Sequence, residues 1–236
     1  MTREVYLLAG PTASGKSAIA AELARETGAR ILSADSMLVY RGMDIGTAKP
    51  SREEIAEFGM GGVDLVTPAE EFSAGAWLRA AAKWVATVPE DVPVIVVGGT
   101  GLYFSALLRG LDRAWEKPPP EYPVVKIDRS TVRARISARL DAMFMDGLEE
   151  EKRILRERYP ARSRTAALAI GYRDGDTRER ILTRTCQLAK RQDTWFRHQA
   201  TPIYVEPTVE SVRECWRSRG PWRVDFPDVP ETDLRH

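Results

Sequence analysis

The chain has 236 residues, of which 43% are apolar and 29% charged, and its formal net charge is +1. This length allows one sizeable α/β domain, and the composition excludes disordered, collagen-like and disulfide-rich classes. No apolar run reaches membrane-spanning length, and the polar first residues do not resemble a signal peptide. We therefore expect a cytoplasmic protein with no membrane partner, whose Cys186 and Cys215 form neither a disulfide framework nor a metal site.

The near-zero net charge conceals a basic segment. Residues 126–197 contain 18 Lys and Arg but 11 Asp and Glu. Such an excess attracts phosphate groups, whether those of a diphosphate or those of a nucleic acid. An arginine-rich helix surface exposed to solvent has the same composition, so both interpretations stay open.

A glycine-rich loop near the start of the chain carries the strongest motif. The run Gly10-Pro11-Thr12-Ala13-Ser14-Gly15-Lys16-Ser17 fits G-x-x-x-x-G-K-[ST], between a predicted strand over 5–9 and a predicted helix over 18–27. The glycines let successive amides point at one anion, and the helix dipole and the Lys16 charge add to the attraction. By itself this loop indicates a nucleoside triphosphate site, as in a kinase or an ATPase.

Two further strand ends are predicted to face the same crevice. A strand over 30–34 delivers Asp35, and the apolar run 94–97 leads into Gly98-Gly99-Thr100-Gly101. Ligands of open parallel sheets bind beyond the carboxyl ends of the strands. The glycine-ended strand lacks the Asp that P-loop hydrolases use to hold Mg²⁺, which favours a phosphate-bearing substrate lying against bare backbone. Asp35 could alternatively cap a turn.

The remaining elements predict an α/β fold, a P-loop NTPase-like parallel sheet flanked by helices with a helical C-terminal half. One domain is expected over 1–220, and a disordered tail over 221–236. The glycine cluster 59–62 indicates a mobile turn, and the proline run 115–121 a stiff connection. Further strands are predicted over 63–66, 124–127 and 203–205, and helices over 73–88, 101–107, 128–147, 148–159, 176–198 and 208–217.

Together these residues resemble the tRNA dimethylallyltransferase family. The resemblance extends in the family's order from residue 5 to about 198. It is carried by the glycine-rich loop and by the blocks SADSMLVY (33–40), MDIGTAKP (43–50), VGGTGLY (97–103), RISARLDAM (135–143), AIGY (169–172) and AKRQDTWFR (189–197).

The resemblance implies transfer of a dimethylallyl group from dimethylallyl diphosphate to the 6-amino group of an adenosine beside the tRNA anticodon. It implies Asp35 as the base, aided by Thr12 and Thr100, and Mg²⁺ placed by Ser17. We also expect a monomer. Residues 10–17 and Arg139 would bind the diphosphate, with Arg135 as the other candidate. The residues that match tRNA-contacting positions of the family are Asp35, Ser36, Met37, Leu38, Lys190, Arg191, Gln192, Trp195 and Arg197.

Two departures from the family leave the acceptor open. The chain has no room near 112–123 for the helical insertion that grips the anticodon stem in typical members, and Cys186 replaces a family arginine. A free adenine nucleotide (AMP, ADP or ATP), as used by adenylate isopentenyltransferases, is the alternative acceptor. A P-loop small-molecule kinase and an inactive RNA-binding remnant are the rival classes.

Overall fold

A computed structural model describes residues 1–111 and 117–229. The elements alternate between strands and helices in the first half, and the second half is mainly helical. In chain order they are β1 (Thr2–Ala9), α1 (Lys16–Thr27), β2 (Arg30–Ser33), α2 (Arg52–Glu57), α3 (Ala74–Ala86), β3 (Val94–Gly98), α4 (Gly101–Arg109), β4 (Glu121–Val125), α5 (Arg129–Met145), α6 (Leu148–Arg158), α7 (Arg164–Ala167), α8 (Arg178–Gln199), β5 (Thr201–Val205), α9 (Val209–Arg219) and β6 (Trp222–Asp225).

Five strands form a parallel sheet in the order β2-β3-β1-β4-β5. The central strand β1 pairs with β3 over four residues, from Tyr6 opposite Ile95 to Ala9 opposite Gly98. The predicted α/β class and parallel sheet are therefore confirmed. Since β1 has a parallel neighbour on each side, the loop that follows it opens at the centre of the sheet's carboxyl edge, where such folds bind ligands.

Separate apolar clusters cover the two faces of the sheet, as the alternation of side chains along β1 requires. Leu7 packs in one cluster and Leu8 in the other, and both are fully buried. A third cluster joins α5, α6 and α8 without a strand residue, and Ile136 and Leu148 belong to it. In the described parts of the chain, no helix is long and apolar enough to cross a membrane.

The prediction of a disordered tail from residue 221 is wrong for residues 221–229. β6 pairs antiparallel with the first half of β1, from Thr2 opposite Asp225 to Val5 opposite Trp222. The buried side chains of Val224 and Phe226 explain why this end stays attached, a packing that its proline-rich composition did not indicate. Residues 230–236 lie outside the described parts of the chain.

Two local predictions also change, and a third cannot be compared over its full length. Residues 63–66 form no strand, apart from a single bridge between Tyr40 and Val66. The glycine cluster 59–62 runs along the sheet edge, where Gly61 exchanges backbone hydrogen bonds with β2. A Cβ on Gly61 would lie 2.4 Å from the ring of Trp84, so close packing explains the glycine better than mobility does. The stiff connection over 115–121 falls partly outside the described residues.

Candidate active site

The glycine-rich loop turns sharply between β1 and α1. Ala13 and Gly15 have positive φ angles of 62° and 94°, which turn the loop back on itself before the helix begins at Lys16. A curled backbone of this kind is typical of an anion-binding nest, and within it the amide of Ser14 donates to the carbonyl of Pro11 at 3.3 Å. The hydroxyl of Ser14 is buried in the loop and has no hydrogen-bond partner among the described residues.

Lys16 is buried beneath this loop, and its Nζ donates to the carbonyl of Pro11 at 3.2 Å. Burial lowers the pKa of Lys16 to about 8, with Asp35 raising it and Arg139 lowering it further. Asp35 also opposes the lowering that burial imposes on the pKa of Arg139. These three side chains therefore form one electrostatic group, with two cations and one carboxylate.

Asp35 and Thr100 stand at two adjacent strand ends and share a turn. The Asp35 carboxylate accepts from the amide of Met37 at 2.9 Å, which fixes its direction. The Thr100 hydroxyl accepts from the amide of Ser36 at 2.9 Å and donates to the Ser36 hydroxyl at 3.2 Å. Thus the segments after β2 and β3 are held together beside the glycine-rich loop.

The glycine run 98–101 makes contact with protein groups. Among the described residues, the Cβ position of each of three glycines is already filled by a neighbour, so close packing accounts for these glycines, and contact of their backbone with a substrate phosphate stays a prediction. A Cβ would lie 2.1 Å from the Ala34 carbonyl at Gly98, 2.4 Å from the Gln192 amide at Gly99 and 2.0 Å from the Trp195 ring at Gly101.

Gln192 joins two of the loops instead of lying on the outer surface. Its Oε1 accepts from the amide of Thr12 at 2.8 Å, and its Nε2 donates to the carbonyl of Gly99 at 3.0 Å. Trp195, one turn further along α8, packs against Gly101 with its ring nitrogen buried and unpaired. Gln192 therefore connects two loops of the site, and Trp195 packs behind one of them. Lys190 and Arg197 are exposed on the same helix.

The two arginine candidates for the diphosphate now differ in position. Arg139 faces the interior, and its guanidinium donates to the Thr12 hydroxyl at 3.0 Å. Arg135 is exposed and reaches the carbonyl oxygens of Ala13 and Ser14 from outside the loop, at 3.4 and 3.2 Å. The geometry therefore favours Arg139 as the residue that contacts a bound anion, and Arg135 as a brace of the loop.

Part of this arrangement lines a cavity of about 560 Å³. It brings together eight of the predicted site residues, which are Thr12, Asp35, Ser36, Met37, Thr100, Arg139, Arg191 and Gln192. The other predicted site residues do not line it; they are Gly10, Pro11, Ala13, Ser14, Gly15, Lys16, Ser17, Leu38, Lys190, Trp195 and Arg197. Its other wall is apolar and includes Ile136, Leu140 and Met143 of α5. The sequence predicts this helix but not that its apolar residues line a site.

Arg184 does not take the place of the family arginine that Cys186 replaces. Arg184 forms an ion pair with the buried carboxylate of Asp176, and so is engaged away from the cavity. Cys186 itself is half-buried against the cluster of α5, α6 and α8.

A magnesium ion could take few ligands from this site. The described residues contain no cluster of three or more His, Cys, Asp or Glu that could hold a metal. The carboxylate of Asp35 and the exposed hydroxyl of Ser17 are oxygen donors suited to Mg²⁺, which usually takes one or two carboxylates and otherwise binds water and substrate phosphates. The residues therefore fit an ion that arrives with a diphosphate, with Ser17 as a candidate ligand.

The fold and the site define a P-loop α/β protein whose phosphate loop adjoins a carboxylate and an apolar cavity. The IPP transferase family model matches residues 38–124 and 114–199, and the isopentenyl transferase model matches residues 3–59. The chain belongs to the IPP transferase family.

Relatives and solved structures agree with this assignment. A tRNA dimethylallyltransferase of Thermus thermophilus is 32% identical over 280 residues, covering 86% of this chain and 92% of that protein. One of Phenylobacterium zucineum is 45% identical over 144 residues, covering 61% of this chain and 43% of that protein. The tRNA isopentenylpyrophosphate transferase structure of Bacillus halodurans shares the fold, with a TM-score of 0.77, 24% identity and coverage of 92% and 95%.

The comparisons also bear on the expected insertion. The alignment with the tRNA dimethylallyltransferase of Nautilia profundicola extends over 279 positions, more than the 236 residues of this chain, at 29% identity and 87% and 96% coverage. That relative therefore has residues without a counterpart here. The two matches to the family model meet at 114–124, between α4 and β4, where the sequence predicts that an insertion is missing.

Proposed function

We propose that the chain transfers a dimethylallyl group from dimethylallyl diphosphate to the exocyclic 6-amino group of an adenosine in tRNA, next to the anticodon. The observation that carries this proposal is the meeting of Asp35, Lys16 and Arg139 beside a cavity with one apolar wall. A base, an anion cradle and an apolar wall are the three features that this reaction needs.

The acceptor amine needs a base. Its lone pair is conjugated into the adenine ring, which makes it a weak nucleophile, so loss of a proton must accompany formation of the carbon–nitrogen bond. Asp35 supports this role because its carboxylate faces the cavity and is oriented by the amide of Met37. Thr100, joined to the same turn through Ser36, would help to position the amine.

The leaving diphosphate needs positive charge where its negative charge grows. The amides of the curled loop, Lys16 and Arg139 would supply it, and groups fixed in advance stabilise a transition state most effectively. Thr12 would hold Arg139 at the phosphates through their hydrogen bond. A Mg²⁺ ion bound with the diphosphate would supply further charge neutralisation, with Ser17 as its protein ligand.

The apolar wall of the cavity would receive the five-carbon group. Ile136, Leu140 and Met143 from α5 line it opposite the polar loops. A volume of about 560 Å³ is in the range of small-molecule sites and accommodates the allylic group together with an adenine.

The acceptor is the part of the proposal that most needs a test. Lys190 and Arg191 are exposed on α8, and neither has a hydrogen-bond or ion-pair partner among the described residues, so both are available to RNA phosphates. The alignment gap favours a second candidate, transfer to free AMP, ADP or ATP. Cytoplasmic location and a monomeric state stay predictions.

Labelled dimethylallyl diphosphate separates the two acceptors. The protein is incubated with the labelled donor and either unmodified tRNA or AMP, and the label is followed on the nucleic acid and on the nucleotide. We expect label on tRNA. Label on AMP alone would contradict the tRNA acceptor and support the nucleotide one.

A further inference from the structure

A short segment after β2 separates the reaction cavity from a second space. Gly46 and Thr47 line the cavity, whereas Asp44 and Ile45 line an open groove of about 1000 Å³ against α5 and α6. Arg139 lines both spaces. We call residues 44–47 the partition, because this one segment contributes to the walls of both spaces.

Glu151, on α6, binds the partition through its backbone. Its carboxylate accepts hydrogen bonds from the amides of Asp44 at 3.0 Å, Ile45 at 2.9 Å and Gly46 at 3.2 Å. Hydrogen bonds to an ionised acceptor are roughly twice as strong as neutral ones. One side chain therefore fixes three consecutive residues of a segment more than a hundred positions away in the sequence.

Tyr172 completes this attachment from the other wall of the cavity. Its hydroxyl donates to Glu151 at 2.5 Å, and its ring lies so close to Gly46 that a Cβ there would be 2.6 Å from it. Burial raises the pKa of Tyr172, and the charge of Glu151 raises it further, so the hydroxyl keeps the proton that it donates. Ala169 and Ile170, just before Tyr172, line the cavity themselves.

Asp44, the first residue of the partition, is also held through its side chain. The ammonium of Lys49 is almost fully buried between the carboxylates of Asp44 and Asp64, each at 2.6 Å, and donates to the carbonyl of Tyr40 at 2.6 Å. The partition is thus held from both sides, and Glu151 is the residue that ties it to the helical wall.

We propose that Glu151 is a positioning residue that keeps the partition closed and so keeps water away from the allylic carbon of the donor. The inference rests on the proposed prenyl transfer. If the partition opened, a water oxygen would attack the allylic carbon as the carbon–oxygen bond to diphosphate breaks. Diphosphate would leave with the bonding electrons, and the water would lose a proton to solvent, giving dimethylallyl alcohol. Exclusion of water suppresses this side reaction.

The experiment measures two products from the labelled donor, dimethylallyl alcohol and prenylated adenine. For Glu151→Ala we expect the transfer rate to fall about 10²-fold, since a shift of about 1 Å at a reactive site has this effect. We also expect the ratio of alcohol to prenylated adenine to rise at least about tenfold as water gains access. Glu151→Gln keeps an acceptor oxygen and should lie between Glu151→Ala and the wild type.

Glu150→Ala is the matched control. Glu150 lies next to Glu151 and lines the same groove, but its described contact is an exposed ion pair with Arg153 at 2.7 Å, so its loss should leave both products unchanged. Tyr172→Phe removes one hydrogen bond to Glu151 and should raise the alcohol ratio less than Glu151→Ala does.

The outcomes separate this proposal from the proposed function. A wild-type protein that prenylates neither tRNA nor AMP would overturn both. Wild-type transfer with an unchanged product ratio in a folded Glu151→Ala variant would overturn the role of Glu151 alone. If Glu151→Ala fails to fold, unchanged ratios in both Glu151→Gln and Tyr172→Phe would overturn it in the same way.

Discussion

The two sides of the cavity are built in different ways. On the sheet side, neighbouring strand ends bond through their backbones, as when Ala34 donates to Val97 at 2.8 Å and Thr100 donates to Ala34 at 3.1 Å. On the helical side, single side chains such as Gln192 and Glu151 reach segments more than a hundred residues away. The sheet side therefore places the reacting groups, and the helical side determines how tightly the space around them is closed.

Asp35 gives the strongest test of the claim that the sheet side places the reacting groups. Replacing Asp35 with Asn keeps an oxygen that can accept from Met37 but removes the basic carboxylate, and loss of a general base lowers rates by about 10²–10⁴. We expect single-turnover transfer to fall by that factor while the donor still binds, because Lys16 and Arg139 are kept. A transfer rate near that of the wild type would show that Asp35 is not the base.

Arg139 and Arg135, both on α5, test which residue of the helical side contacts the donor diphosphate. Arg139→Ala should weaken binding of a non-reactive thio analogue of the donor roughly 10- to 100-fold, the effect of one charge-assisted hydrogen bond. Arg135→Ala, the matched variant on the outside of the loop, should change it by less than about threefold. Calorimetric titration measures both, and equal losses would contradict the distinction between an interior contact and an exterior brace.

Lys16 makes donor binding depend on pH. Its pKa is lowered from 10.5 to about 8 by burial, and a bound diphosphate favours the protonated form. Donor affinity should therefore be constant below pH 8 and fall above it, by up to about tenfold per unit. Lys16→Ala shows the titration of the ligand alone, and a profile parallel to that of the wild type would contradict this role.

The same shift has the opposite effect on stability. The unfolded chain holds the Lys16 proton up to about 10.5, whereas the folded chain releases it near 8. Because the unfolded state binds more protons in this window, the contribution of Lys16 to folding becomes more favourable as the pH rises from 8 to 10.5.

The smallest expected effects are on stability, when the adjacent Gly98 and Gly99 are replaced with alanine. In Gly98→Ala the new methyl would meet the backbone carbonyl of Ala34 at 2.1 Å, and we expect a loss of about 1–3 kcal/mol in the free energy of unfolding. In Gly99→Ala it would meet the end of the Gln192 side chain, which can move. That variant should lose less stability, and urea unfolding compares them. Equal losses would contradict the difference between backbone and side-chain contacts.

Much of the sheet side could be predicted from the sequence because local signals define it. The glycine-rich loop, the apolar runs of β1 and β3, and Asp35 at the end of β2 each lie within a short stretch whose periodicity and turn residues are sufficient. Parallel strands then bring their carboxyl ends together, which predicts that Asp35 and Thr100 lie beside the loop.

The remainder depends on packing between distant segments. The helical stripe of Ile136 and Leu140 has the same spacing whether it fills a core or lines a cavity, so periodicity did not reveal the apolar wall. Glu151 belongs to a run of three glutamates, a pattern typical of a solvent-exposed helix surface, so the sequence does not indicate its contacts. β6 is short and follows a glycine and a proline, and only its partner β1 makes it a strand.

The central claim is that the glycine-rich loop holds a diphosphate that leaves, so that prenyl transfer replaces phosphoryl transfer. The most direct test supplies dimethylallyl diphosphate and tRNA without ATP, and counts released diphosphate against prenylated adenosine. We predict one diphosphate for each modified adenosine. Transfer that requires ATP, or phosphate release from ATP without any modified adenosine, would contradict the account.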